Sequence, residues 1–313
     1  MKIEMQLIRG LSHIPPLAHS VVAIGNFDGI HLAHQEILKQ LKVLSQQHQV
    51  PSVLIIFEPT PAEYFLKEKA PARLMRLREK ILGLKSYNID YVLCLKFNKE
   101  LSILSSELFI ENLLIKKLGM KAIIIGDDFH FGAARRGDLK MLSEWGLQED
   151  FEVQVLKDFN FNQGRVSSTR IREALLQGDL NLAKALLGKP YSVCGRVSHG
   201  HQRGRSIGFP TANIHLHRQN VPISGVFAVR VLGLDKIYNG VANIGVRPTV
   251  DGSNRILLEV FIFNFDQVIY GHYVEIQFLH KLRDEQRYND FEALRAQIEK
   301  DVLEAKAYFS TLK

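Results

Sequence analysis

Near Gly188 the hydrophobic pattern of this 313-residue chain changes period, which limits it to two different kinds of layer. Upstream, apolar runs at 20–24, 52–57, 91–97, 122–125 and 153–156 alternate with helical periodicity at 30–44, 78–87 and 105–118. The last of these ends at Gly119, a residue type suited to the position just past a helix. That alternation predicts a mainly parallel sheet with helices on both faces. Downstream, short alternating runs at 191–198, 226–232, 237–244, 256–265 and 273–279 follow with almost no helix between, as in an antiparallel sheet or small barrel. The expected fold class is α/β: a parallel-sheet domain at 1–187, then a small antiparallel β-barrel domain at 188–313 with a terminal helix. The boundary rests on a short helix at 179–187 that stops at Gly188-Lys189-Pro190. In the terminal helix Phe291, Leu294, Ile298, Val302, Ala305 and Phe309 recur near period 3.6, which predicts a core stripe. Asn289 with Glu292 reads as its capping box.

No apolar run approaches the roughly 18 residues of a membrane-spanning helix, and the start lacks a signal-peptide pattern. Two cysteines about a hundred positions apart exclude a disulfide framework, so a cytoplasmic chain without a membrane partner is expected. The net charge of +7 raises nucleic acid as a partner. The basic residues cluster beside glycines, however, and base-reading motifs are absent, which favours anionic small molecules over nucleic acid.

Ligands of parallel sheets sit beyond the C-terminal strand ends, and three polar segments fall there. In the first, Gly25-Asn26-Phe27-Asp28-Gly29 breaks a buried strand and opens a helix, a junction suited to phosphate. His31 and His34 lie on one side of its first turn, where both imidazoles can donate to one phosphate chain. A surface pair or a zinc pair is the alternative; zinc would need further ligands, and Cys94 and Cys194 are isolated. In the second, 57–65, Tyr64 or Phe65 can stack on a flat ring, although a plain loop with core aromatics is the simpler reading. In the third, 126–132, Asp128 can accept from a base or ribose, and Phe129 or Phe131 can stack.

Two later segments carry charge. At 166–175, Ser167 or Ser168 is a good N-cap. Arg170 and Arg172 then fall where the helix dipole disfavours cations, unless a polyphosphate is bound. At 195–213, glycines let the backbone approach a polyphosphate, and Arg196, Arg203 and Arg205 add charge. It is neither a Walker A loop nor a dinucleotide fingerprint, and a flexible basic hairpin is the alternative.

The string G-x-F-D-G-x-H-x-x-H at 25–34, with S-S-T-x-I-R at 167–172, resembles the bifunctional bacterial riboflavin kinase / FAD synthetase family. Residues 195–213 resemble its kinase motif G-x-V-x-x-G-x-x-x-G-R-x-I-G-F-P-T-A-N, and 240–249 and 258–261 agree. The resemblance implies a Rossmann-like nucleotidyltransferase domain that joins FMN to AMP, giving FAD and pyrophosphate. It also implies a barrel that phosphorylates riboflavin with ATP and Mg²⁺. For adenylyl transfer it implies ATP contacts at Gly25, Phe27, Asp28, Gly29, His31, His34, Asp128, Ser168, Thr169 and Arg172. For the kinase it implies them at Gly200, Gly204, Arg205, Gly208, Pro210, Thr211 and Asn213, with Mg²⁺ at Thr211 and Asn213. Glu259 becomes the base facing the ribityl 5′-hydroxyl, and the implied flavin contacts are Phe65 and Phe131 in the first half and Glu259 and Arg283 in the second. His31, His34 and Arg172 complete the catalytic set. Riboflavin, FMN and ATP are the expected partners of a monomer or weak homo-oligomer. Departures at Ala33 and Thr60, where the family usually has Gly and His, leave a kinase with a weak or inactive adenylyltransferase half as the alternative. Phe261 stands where the family often has His.

Overall fold

Successive residues of a strand point to opposite faces, and 20–24 shows the consequence: Val21 and Ala23 join one core cluster, Val22 and Ile24 another. The structure is a computed structural model and describes residues 4–162, 164–199, 208–218, 220–248 and 254–312. By packing, the chain divides into two units, Met1–Pro71 with Met75–Ser167, and Ala72–Leu74 with Ser168–Lys313.

The first unit carries β1 (Gln6–Arg9), β2 (Ser20–Ile24), β3 (Ser52–Phe57), β4 (Tyr91–Leu95), β5 (Met120–Gly126) and β6 (Glu152–Leu156). They form one sheet in the order β1-β4-β3-β2-β5-β6, parallel at every pairing. One face is covered by α1 (Leu32–Gln47), α2 being the short helix Pro61–Leu66 and α3 the helix Leu77–Leu84. Leu38, Leu41 and Leu84 are fully buried with Val21, Leu54, Val92 and Ile124 on that face. Each such side chain contributes about 1.5–3 kcal/mol. The opposite face packs against Phe109, Ile110, Leu113, Leu114 and Leu142. The chain runs outward from β2 through β3 and β4, then returns to place β5 on the other side of β2. The ends of β2 and β5 therefore flank the point where the strand order reverses, the place where open parallel sheets bind ligands. A small hairpin, β7 (Asn160–Phe161) and β8 (Gly164–Arg165), follows β6.

The second unit is a closed antiparallel barrel of β9 (Ser192–Ser198), β10 (Thr211–His215), β11 (Gly225–Leu232), β12 (Tyr238–Pro248), β13 (Asn254–Ile262) and β14 (Tyr273–Arg283), ordered β10-β13-β12-β11-β14-β9. Closure removes unpaired sheet edges. The C-terminal helix, Phe291–Ser310, lies on the outer face through Val302 and Ala305 against Val226, Ala228, Val241 and Phe263. Its polar anchor is buried Asp301, whose two oxygens accept from Arg283 Nε and Nη2 at 2.8 Å each. The helix 180–187 stops at Gly188, whose φ of 73° is the left-handed value expected of a helix-ending glycine.

Some expectations are corrected. The terminal helix is capped by Asp290, which accepts from Ala293 N–H at 2.7 Å, and not by Asn289. Phe291 is 59 % exposed, outside the core stripe, because it precedes the part of the helix that touches the barrel. Over 105–118 the backbone is a short α turn followed by a π-helical stretch, Phe109–Ile115. Asp301→Ala would take the buried two-oxygen partner from the half-buried Arg283 guanidinium. It is expected to destabilise the barrel by about 3–5 kcal/mol, read as a lower urea midpoint for the barrel's transition with that of the first unit unchanged.

Candidate active sites

Beyond Ile24 the chain makes a turn that most residues avoid: φ is 47° at Phe27, 90° at Gly29 and 45° at Ile30. For a β-branched residue such as Ile30 the left-handed region is an outlier. Packing holds it there. Phe27 is fully buried and Ile30 is 2 % exposed. Gly83 of α3 lets that helix approach; a Cβ at 83 would lie 2.9 Å from Ile30 Cδ1. Asp28 Oδ1 accepts from Met75 N–H at 2.9 Å, so this carboxylate braces the turn from beneath. The Lys80 ammonium, buried at 1 % exposure, donates to the Asn26 carbonyl.

His31 caps α1, its Nδ1 accepting from His34 N–H at 3.4 Å. The two imidazoles stack, with centroids 3.6 Å apart and planes 17° apart, and Phe27 lies 4.6 Å from the His34 ring. His34 Nδ1 is buried and has no hydrogen-bond partner. Burial first, then the neighbouring His31 and Lys80 charges, hold the His34 pKa well below its ordinary 6.5. The result is a neutral imidazole at a helix N-terminus, where the dipole favours an anion.

At the end of β5, Asp128 is exposed and pairs with Arg165 at 2.9 Å. Arg165 also meets Asp158 at 2.7 Å and Asp127 at 3.7 Å. The hydrogen bond to Asp128 is the main reason that the Arg165 pKa is raised. Sequence reading missed Arg165, which lies in a two-residue strand with no periodic signal. Of the aromatic candidates, Phe65 is 63 % exposed beside Phe97 and Tyr64. Phe131 is 7 % exposed and packs against Phe109 and Phe129 in the core. Thr60 is the N-cap of α2, in a complete capping box with Glu63.

In the second unit Ser168 opens the helix Ser168–Leu176, and Arg172 Nε donates to the Ala72 carbonyl at 2.6 Å. On the barrel, antiparallel register puts Asn213, Glu259 and Asn243 side by side on β10, β13 and β12. Thr211, two residues before Asn213, shares its face. Asn243 Oδ1 is buried without a partner, while the Asn243 side chain hydrogen-bonds Glu285. Desolvation raises the Glu285 pKa against that bond and the Arg283 charge. The Glu285 carboxylate lies on Gly245, where any Cβ would overlap it. Arg283, expected at the flavin, spends Nε and Nη2 on Asp301, gives Nη1 to the Asp284 carbonyl at 3.0 Å, and faces the Tyr288 ring at 5.7 Å. Gly208 has φ 86° and precedes Pro210. Gly200, Gly204 and Arg205 lie outside the described residues.

A helix-opening turn at a parallel-sheet switch point, with a barrel bearing a carboxylate between two carboxamides, is an arrangement that fits a two-unit, nucleotide-dependent transferase. The comparisons agree. A family model described as FAD synthetase matches residues 14–170, and one described as riboflavin kinase matches 187–309. The bifunctional riboflavin kinase/FMN adenylyltransferase of Haemophilus influenzae is 48% identical over 98% of this chain and 100% of its own length. That of Escherichia coli strain K12 is 44% identical over 99% of each. A crystal structure described as a macrolide-efflux protein from Streptococcus pneumoniae has a TM-score of 0.84 at 31% identity, covering 97% of this chain and 99% of that one. Among the described residues here, no helix is long and apolar enough to cross a membrane. The chain belongs to the bifunctional riboflavin kinase/FMN adenylyltransferase family. It phosphorylates riboflavin and adenylylates FMN, both with ATP.

The depressed His34 pKa sets a pH dependence. Between that value and 6.5 the unfolded chain binds more protons at this position than the folded chain. The stability contribution of neutral His34 is therefore fully present above pH 6.5 and is lost as pH falls through the folded value. His34→Gln is expected to flatten the acid side of the first unit's stability profile, measured as urea midpoints from pH 7 downward.

Proposed function

We propose that each reaction is carried by its own residue set. For adenylyl transfer, the backbone of Gly25, Phe27 and Gly29 and the rings of His31 and His34 hold the ATP phosphates, with Asp28 as brace. The single observation supporting this most is the buried, unpartnered His34 Nδ1 at the N-terminus of α1. Buried polar atoms without partners are rare, and helix N-termini bind anions. Asp128 serves the nucleoside, and Ser168, Thr169 and Arg172 are assigned to this reaction on their motif. An FMN phosphate oxygen attacks the α-phosphorus of ATP, the bond to the bridging oxygen breaks, and pyrophosphate leaves with its growing charge met by the donors of the 25–34 turn. FMN brings its own nucleophile, so no covalent enzyme intermediate is required.

For the kinase, Glu259 takes the proton of the ribityl 5′-hydroxyl as that oxygen attacks the γ-phosphorus, and ADP leaves. The Thr211 hydroxyl and the Asn213 carboxamide are hard oxygen donors on one face of β10, a set that fits Mg²⁺. When bound there the ion neutralises phosphate charge. Gly208 and Pro210, with Gly200, Gly204 and Arg205, hold the same ATP. The plane of the Arg283 guanidinium contacts riboflavin in this reaction, whereas Phe65 contacts FMN in the adenylyl transfer, where Phe131 supports Phe129. The domain division is 1–187 for the adenylyltransferase and 188–313 for the kinase. The chain works on small molecules, not nucleic acid or membrane, in the ATP-rich cytoplasm as a monomer or weak homo-oligomer.

Glu259→Ala is expected to lower FMN formation by about 10²–10⁴-fold while leaving FMN-to-FAD conversion intact. His31→Ala combined with His34→Ala should do the reverse, lowering FAD formation by at least about 10²-fold. Chromatography of the flavins formed from riboflavin or FMN with ATP and Mg²⁺ reads both. A folded variant that lost both reactions would refute one residue set per reaction.

A further inference from the structure

Lys80 sits where a lysine is seldom found. It is 1 % exposed, on α3, three residues before the Gly83 that contacts Ile30, and its ammonium reaches up to the Asn26 carbonyl. Lysines are almost never fully buried unless bonded. This one is bonded to the backbone of the turn that the adenylyl reaction uses.

The geometry of that bond matters. In a trans peptide the carbonyl and the following N–H point in opposite directions. With the Asn26 carbonyl drawn toward α3, the Phe27 N–H is turned away from α3. That N–H enters no backbone hydrogen bond among the described residues. Lys80 therefore fixes a peptide in the orientation that presents a donor on the side away from the helix. Its positive charge also acts on the His34 ring, as one of the charges that lower that imidazole's pKa. The charged and titratable groups acting on that ring are His31 from the turn and Lys80 from α3.

We propose that Lys80 is a positioning residue of the adenylyl-transfer site: a fixed buried cation that sets the Asn26–Phe27 peptide and supplies charge beneath a bound triphosphate. This rests on the assignment of the 25–31 turn to the ATP phosphates. It identifies the buried lysine, absent from the motif itself, as part of what readies the turn for the charge that grows on the departing pyrophosphate.

Lys80→Gln keeps a donor for the Asn26 carbonyl and removes the charge. In the full chain, FMN-to-FAD conversion by Lys80→Gln is expected to fall about 10²-fold, the loss typical of one preorganised donor. Its KM for ATP should change far less, and the acid limb of its kcat profile should move to higher pH as His34 loses a repelling neighbour. Riboflavin phosphorylation by the same molecules reports that the chain is folded. A folded Lys80→Gln with wild-type kcat and an unmoved acid limb overturns the proposal; so does a loss of rate without movement of that limb. Should Lys80→Gln lose both reactions, Lys80→Arg decides, because it keeps charge and donor. Its acid limb should stay in place and its rate within about tenfold of wild type, the kinase reaction again intact; a moved limb or a larger loss overturns the proposal. Loss of FAD synthesis in Lys80→Gln while His31→Ala with His34→Ala leaves it intact would instead count against the turn as the phosphate site.

Discussion

The 25–31 turn is a backbone that would not persist alone. Two non-glycine residues in the left-handed region cost of order 1–3 kcal/mol each, and a free peptide would relax them. Burying the Phe27 ring and the Ile30 side chain returns about 1.5–3 kcal/mol apiece, so burial offsets the strain. The two polar ties, Met75 to Asp28 and Lys80 to Asn26, then choose one arrangement among those that packing allows. Everything that the proposed adenylyl-transfer site offers to ATP in this turn stands on this support: the amide of Phe27, the capping ring of His31 and the ring of His34 stacked upon it. Strain at a functional turn, supported by a buried layer below, is how a loop gains the rigidity of a helix or strand.

Much of this could be read before any coordinates. Period-2 and period-3.6 patterns located five of the six sheet strands, and the change of pattern near Gly188 separated parallel from antiparallel layers. Strand β1 escaped because four residues at a sheet edge carry little pattern, and the helix Leu139–Glu149 because only Leu142 among its large apolar residues is fully buried. At the site, sequence could pair His31 with His34, since both lie on one helix turn. It could not find Lys80 or Arg165. Both are tied to the candidate site by contacts across 54 positions to Asn26 and 37 positions to Asp128, which local spacing does not encode. The aromatic candidates were separable only by exposure, which placed Phe131 in the core and left Phe65 at the surface.

The barrel works by register. Antiparallel pairing across three strands aligns Asn213, Glu259 and Asn243 without any of them being close in sequence. A one-residue slip of β13 would turn Glu259 to the opposite face. The closed barrel resists that slip, and the Arg283–Asp301 pair fixes where the chain goes after β14. Glu285 then settles on Gly245, its place set by the lack of a side chain beneath it.

Residues Ala72–Leu74 interrupt the first unit's sequence yet pack with the second, where their carbonyls accept from Arg172 and Arg218. A gene divided between 167 and 168 would encode a barrel-bearing fragment deprived of those acceptors. Hydrogen bonds made by a charged guanidinium are worth about 1.5–3 kcal/mol each, a large share of a domain's net stability. Fission into two independent enzymes thus meets a folding obstacle at the first step. One consequence reaches beyond the fold: a cell inherits the FMN-making and FMN-consuming centres in equal number, so their ratio cannot drift with gene expression.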